Sequence, residues 1–470
     1  MPPAPSRPEH VVVIGAGPAG LTAGWELVRA AVRVSVLERR PSLGGLGGTS
    51  AFEGRAGTYR FDFGGHRFIT ANRDLMNLVD SLLGDDLLTA ERRSVIRLGG
   101  RTYEYPLSLP NLLRNAPPSL LSGAVRDAVR MTLARGYRND ADDFAGWTES
   151  RFGPTLYRTF FEGYTRKLWG IEPAALSSDW ADQRISLMDL REVARRLFPG
   201  AGQQTRTYAR TYRYPRHGFG VIFERLAARF LKEGGTIRTG IAVTGFARTA
   251  DGQVTHVETD KGPVACDAVV STLPLPDVVR MTNGESALRF RGLRFLNLPM
   301  AMADVSPWTW QYLSDPDMLA TRLQEPRRRS PEMAPPGMTS LMLEIPCDPG
   351  DAIWCASDES LFERSRLDLA RLGIDASKAT GEIFGARAAN AYPLMTVGYR
   401  AERERAIAHL AGIPNLVQAG RQGAFRYVFT DAAMEMGQMA AAMLLGGDDR
   451  RRSIYDHRNE KTVIETESIA

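Results

Sequence analysis

Residues 11–20 read Val-Val-Val-Ile-Gly-Ala-Gly-Pro-Ala-Gly. The β-branched run 11–14 has the character of a strand buried on both faces. The glycines follow at once, and residues 21–29 carry a helical pattern. A lone GxGxxG is a weak signal, but strand, glycines and helix in register form the dinucleotide-binding βαβ unit. In that unit Gly15 allows the tight turn, Gly17 lets the backbone approach a pyrophosphate, and Gly20 lets helix and strand pack closely, with Ala19 between them. The helix N-terminus offers N–H groups and positive dipole to phosphate oxygens. A second strand, 32–37, ends in Glu38-Arg39. A carboxylate there suits the hydroxyls of an adenosine ribose and disfavours a 2′-phosphate.

Glycine recurs at Gly44-Gly45-Leu46-Gly47-Gly48-Thr49 and at Phe61-Asp62-Phe63-Gly64-Gly65-His66. Backbone without side chains is what a flat isoalloxazine and its ribityl chain need for close approach, so FAD is expected rather than NAD. Near the far end, 415–421 reads as a strand entering a turn at Gly420-Arg421, followed by a helix over 431–445. The expected fold is α/β. A discontinuous Rossmann-like FAD domain (8–74 with 205–290 and 385–450) carries an inserted helical domain (75–204) and a β-sheet substrate domain (291–384), and a charged, frayed tail follows at 451–470. Strands are expected at 235–243, 254–259, 268–272 and 338–345, and a helix at 359–372. No second GxGxxG occurs, so reducing electrons are expected from outside, from NAD(P)H or a reductase.

The chain has 470 residues, 43% hydrophobic and 24% charged, ordinary values for a multidomain globular protein. Lys and Arg exceed Asp and Glu by 59 to 54, but no basic run is interleaved with aromatics, and no nucleic-acid partner is expected. The three cysteines, Cys266, Cys347 and Cys355, make neither a disulfide framework nor a close redox pair, which fits a reducing cytoplasm. No metal site, secretion signal or membrane span is expected.

Further motifs lie along the chain. They are Tyr105-Pro106; Tyr164 with Lys167-Leu168-Trp169-Gly170; Trp180-Ala181-Asp182-Gln183-Arg184; Trp310-Gln311-Tyr312 with Arg322; Ala391-Tyr392-Pro393; and Gly420-Arg421-Gln422-Gly423-Ala424-Phe425-Arg426-Tyr427. Together with Gly64-Gly65-His66 they resemble the UDP-galactopyranose mutases, more the longer eukaryotic-type members than the short bacterial ones, over residues 10–445. The resemblance implies that His66 lies beside the flavin and that Arg184 and Arg322 face the diphosphate and anomeric region. It further implies that Tyr105, Trp169, Trp180, Tyr312, Tyr392 and Tyr427 meet the substrate, with Tyr427 also near the cofactor.

By the same resemblance the chain is an isomerase, a pyranose–furanose mutase of galactose-type NDP-hexoses. Reduced FAD would then act through N5 as nucleophile at the anomeric carbon, with no net redox change. UDP is the family default, and GDP or dTDP remain open. Two departures bear on the sugar: Val428-Phe429-Thr430-Asp431 replaces the family's Asn/Gln-Asp-His-Ser run, and the segment before Tyr212 lacks an asparagine. Glu344, in an apolar strand, is either a paired core carboxylate or a site residue. The alternative reading is an oxidoreductase of the amine-oxidase or desaturase type, which shares the N-terminal motifs.

Overall fold

The computed structural model describes residues 7–105, 109–133, 141–185 and 211–457, without the side chains of Leu109 and residues 182–185. Strand β1 (His10–Ile14), helix α1 (Pro18–Arg29) and strand β2 (Arg33–Glu38) form the expected βαβ unit. All pairings in its five-stranded sheet are parallel, in the order 416–418, 268–271, β1, β2, 236–239. Val11, Val12 and Val13 are fully buried, as a strand covered on both faces requires. The returning strand Leu416–Gln418 feeds the helix Thr430–Leu444, which lies against α1. The two helices touch so closely at Gly437 that a Cβ there would come within 2.3 Å of the Ala19 carbonyl oxygen. That contact seats the helix Thr430–Leu444 on the first turns of α1.

A seven-stranded sheet forms the second layer, in the order 384–393, 290–300, 339–347, 322–324, 310–313, 94–98, 101–104. One face packs Leu296, Leu341, Leu343 and Ile345 against Leu361 and Leu369 of the helix Asp358–Arg371. The other face looks toward the cofactor sheet. Register sets its composition: Tyr312 pairs with Arg322, Arg322 with Glu344, and Glu344 with Phe295. Directly paired residues project to the same face, so four strands present one row of side chains.

Three expectations change. The span 75–204 is not uniformly helical, because Leu87–Glu91, Ser94–Leu98 and Arg101–Glu104 are strands. The last two form a hairpin across Gly99-Gly100, at φ +58° and +69°, and the first of them pairs in parallel with Trp310–Leu313, which adds both to the seven-stranded sheet. Phe384–Pro393, divided by a boundary at 385 in the sequence reading, is an edge strand of that same sheet. The start of the tail is not frayed, since Arg451–Asp456 is a helix that buries Ile454 and Tyr455 and accepts hydrogen bonds from Arg403 and Arg426 at the Tyr455 carbonyl. Helices do occupy Pro118–Leu133 and Gly163–Trp169, the latter after a π-turn at Tyr157–Glu162. No helix among the described residues is long and apolar enough to cross a membrane, and no cluster of metal-ligating side chains occurs among them.

Candidate active site

The glycines after β1 have separate jobs. Gly15 adopts φ +99° and lies against Thr272, so a Cβ would meet Thr272 Oγ1 at 2.1 Å. A Cβ on Gly20 would lie 2.0 Å from the Gly15 carbonyl oxygen. Gly17 differs: its φ is −83° and the nearest protein atoms to a Cβ are 4.0 Å away. Protein packing therefore leaves room for a side chain at Gly17, and nothing in the surrounding protein calls for bare backbone there. No side chain caps α1 and Pro18 opens it, so its first-turn N–H groups remain available to a phosphate. Gly44 donates to the Ala16 carbonyl at 2.8 Å, docking the second glycine loop on the first.

A cleft of about 440 Å³ runs along these elements. Gly15, Gly17, Ala19, Glu38, Arg39, Gly45, Leu46, His66, Gly420 and Arg421 of the sequence assignment line it, and Gly20 shapes it from behind. Glu38 accepts from the backbone N–H of Ala16 and of Arg40, each at 2.8 Å, which holds its carboxylate at the cleft's end. These residues fit FAD: a phosphate cradle at Gly17, a ribose acceptor at Glu38, and a flat exit between Leu46 and residues 428–430.

A smaller cavity of about 120 Å³ adjoins the cleft, sharing Leu46, His66, Arg421, Val428, Phe429 and Thr430 with it. Its wall includes Gly64, Gly65, Tyr312, Arg322, Tyr392 and Tyr427, as the sequence assigns, and also Phe63, Arg67, Leu293, Phe295, Trp310, Glu344 and Ala391. Three arginines, Arg67, Arg322 and Arg421, and one carboxylate, Glu344, line this cavity. Glu344, 2% exposed, accepts from the Gln324 amide and lies 3.5 Å from Arg322 Nε. Burial pushes the pKa of the Arg322 guanidinium down, but Glu344, Tyr392, Tyr312 and Tyr164 outweigh it and the net direction is up. The Gly64-Gly65 loop presses on this group, since a Cβ on Gly65 would lie 3.0 Å from Arg322 Nη1. Arg421 bridges the two spaces, with its guanidinium 4.2 Å from the Tyr427 ring centroid and 5.0 Å from that of Tyr392, and it donates to the Ala391 carbonyl.

His66 stacks on Phe219 with ring centroids 5.0 Å apart, and its Nε2 is 3.1 Å from the Phe63 carbonyl oxygen. That contact makes Nε2 the donor and leaves the Nδ1 lone pair as an acceptor. Burial lowers the His66 pKa, opposed by Asp62 and aided by Arg329, so the imidazole is neutral near pH 7.

Several assigned residues lie outside the cavity wall. Trp169 and Trp180 pack edge to face at 4.6 Å behind Tyr392 and Tyr427, which they brace at 5.8 and 5.0 Å. Tyr105 leans on Tyr312 at 4.7 Å, with the Arg92 guanidinium 5.4 Å from its ring. Arg184 is on the helix Ser178–Ile185, but its side chain, Pro106 and residues 205–210 lie outside the described residues. Sequence reasoning missed Arg67, though it directly follows His66, and left Glu344 unassigned. Only strand register brings Glu344 to Arg322.

Lys167 does not face the cavity. Its ammonium donates to the carbonyls of Leu313, Asp315 and Ala320 at 2.7–3.0 Å, pinning the hairpin that carries Tyr312 and Arg322. Burial pulls its pKa down to about 8, against the upward influence of Asp368, Asp315 and Asp317. The unfolded chain keeps this proton to about pH 10.4. Between the two values the unfolded state binds more protons, so this group's contribution to stability rises with pH and is lost as pH falls through about 8. Thermal melts of wild type and Lys167→Met between pH 7 and 10 should therefore diverge in slope, the variant lacking that rise. Parallel curves would contradict the assignment.

Burial raises the Cys266 and Cys347 thiols to about 12, so neither is a nucleophile at neutral pH.

A parallel βαβ sheet with a glycine cradle, and a second cavity opening off the same cleft, define an FAD-dependent flavoprotein enzyme. The chain belongs to the flavin containing amine oxidoreductase family, whose sequence pattern matches residues 18–445. It is 27% identical over 423 residues to a phytoene dehydrogenase of Streptomyces griseus, covering 78% of this chain and 80% of that protein. It is also 27% identical over 165 residues to a dTDP-fucopyranose mutase of Escherichia coli, covering 35% of this chain and 42% of that protein. Its fold matches the crystal structure of reduced UDP-galactopyranose mutase with a TM-score of 0.82 and 21% identity, covering 95% of this chain and 98% of that one.

Proposed function

We propose that this chain is a nucleotide-sugar mutase that exchanges the pyranose and furanose rings of an NDP-hexose. The observation that carries the reading is the cavity at the end of the FAD cleft, walled by Arg67, Arg322, Arg421, Tyr312, Tyr392 and Tyr427 with a single carboxylate already engaged. Guanidinium and phenol donors suit a diphosphate, which must be stabilised as it leaves C1 and kept for its return. A hydride-donating amine or hydrocarbon needs no such wall.

Reduced FAD, when bound, supplies a nucleophilic nitrogen, N5, for the anomeric carbon. The exchange breaks C1–O5 and makes C1–O4, a proton passes from O4 to O5, and oxidation states do not change. Arg322 and Arg421 hold the departing phosphate, and the aromatic brace of Trp169 and Trp180 keeps Tyr392 and Tyr427 in place. Neutral His66 offers Nδ1 to a sugar hydroxyl. Because the described residues hold one dinucleotide fold, the flavin's electrons come from NAD(P)H or a separate reductase.

The family and the phytoene dehydrogenase likeness favour a second reading, an oxidoreductase acting on an apolar or amine substrate. The two separate cleanly. Dithionite-reduced enzyme incubated with UDP-, GDP- and dTDP-hexopyranoses should release furanose isomers, seen by chromatography, and the oxidised enzyme should not. No furanose product, with oxygen consumed on an amine or alkene, would establish the oxidoreductase instead.

A further inference from the structure

We propose that Trp354, on the turn that follows strand Thr339–Cys347, is the platform on which the adenine of FAD packs. The placement follows from the two ends of the cleft. Strand Phe384–Pro393 runs along it. Ala391 and Tyr392 wall the smaller cavity, Ala388, Ala389 and Asn390 line the cleft, and Arg387 lines it farther on. At about 3.3 Å per residue, Arg387 is roughly 16 Å of strand away from Tyr392. Arg40 ties that end to the ribose acceptor: its backbone N–H donates to Glu38 at 2.8 Å and its guanidinium to the Arg387 carbonyl at 3.4 Å. The Arg387 guanidinium in turn lies 5.8 Å from the Trp354 ring centroid. A base leaves its ribose on the side opposite the pyrophosphate, so an adenosine held at Glu38 turns its adenine to this end of the cleft.

Among the described residues the aromatic rings on the cleft wall are His66, Phe429 and Trp354. His66 and Phe429 also line the smaller cavity, which leaves Trp354 as the ring at the adenosine end. The protein's own packing does not call for it there. Its neighbours Ile353 and Ala356 pack on the core around Leu361, whereas Trp354 is half-buried and belongs to none of the hydrophobic clusters. Its backbone is nevertheless tightly held. Arg294, 1% exposed, donates to the carbonyls of Ile353, Trp354 and Ala356 at 3.2, 2.8 and 2.8 Å and pairs with Asp358. Asp351 accepts from the Trp354 N–H at 2.7 Å. An indole fixed on the cleft wall and unused by any core offers a flat heteroaromatic base a preset surface, with Ile241, Val243 and Met281 as apolar wall beside it.

The test uses the full chain stripped of flavin, titrated with FAD and with riboflavin 5′-pyrophosphate, which keeps the flavin, the ribityl chain and the pyrophosphate but lacks adenosine. Trp354→Ala should leave the melt of the flavin-free chain unchanged, weaken FAD roughly 10-fold, and bind riboflavin pyrophosphate as wild type does. Trp354→Phe, which restores a ring, should recover most of the FAD affinity. Equal weakening of both ligands, or an unaltered FAD affinity in Trp354→Ala, overturns the inference, whichever reaction the flavin serves.

Discussion

Gly20→Ala should purify as a colourless chain. The added Cβ would sit 2.0 Å from the Gly15 carbonyl oxygen and 3.3 Å from Val13 Cγ1, and the first of these is backbone that no rotamer change can move. The junction of β1 and α1 must open, at a cost of about 1–3 kcal/mol typical of overpacking. The same opening swings the first-turn N–H groups away from the pyrophosphate. Losing two charge-assisted hydrogen bonds of about 1.5–3 kcal/mol each lowers FAD affinity roughly 100-fold or more. Gly17→Ala separates the two effects. Its Cβ has 4.0 Å of clearance and its φ is ordinary, so the apo chain should melt as wild type does while FAD binding falls. Visible absorbance of the purified proteins and melts with and without added FAD decide it. A flavin-replete Gly17→Ala would remove the pyrophosphate from Gly17.

The second large effect is at Arg322. Arg322→Ala should keep its flavin, because Arg322 lies only in the smaller cavity's wall, and should lose nucleotide-sugar affinity by roughly 10- to 100-fold. It should also lose stability, by about 3–5 kcal/mol, because Glu344 is then a buried carboxylate without its cation. Arg322→Ala/Glu344→Gln removes that stranded charge. The double variant should recover much of the melting temperature and none of the affinity. This split between stability and binding distinguishes a substrate clamp from a structural ion pair. If the double variant binds nucleotide sugar as wild type does, Arg322 is structural only.

The sequence by itself determined the cofactor half of the protein. Val11 to Gly20 specify strand, turn and helix through short-range sterics, and Glu38 follows from the length of the unit, so the βαβ fold and much of the wall of its cleft are legible from local pattern. The returning strand at 416–418 and the helix after it were legible for the same reason. What tertiary structure decided is the substrate half. Strand 94–98 joins the seven-stranded sheet because 310–313 pairs with it, whereas 101–104 is its hairpin partner across Gly99-Gly100. Trp169 and Trp180 match a motif but sit behind the wall as braces, since a motif carries residue order and not depth. Glu344 meets Arg322, and Phe295 joins them, only through the register of three antiparallel strands. A one-residue slip in that pairing would turn each of these side chains to the opposite face. Local geometry is written in adjacent residues, whereas the charge balance of the substrate cavity is set by pairings between segments far apart in the chain.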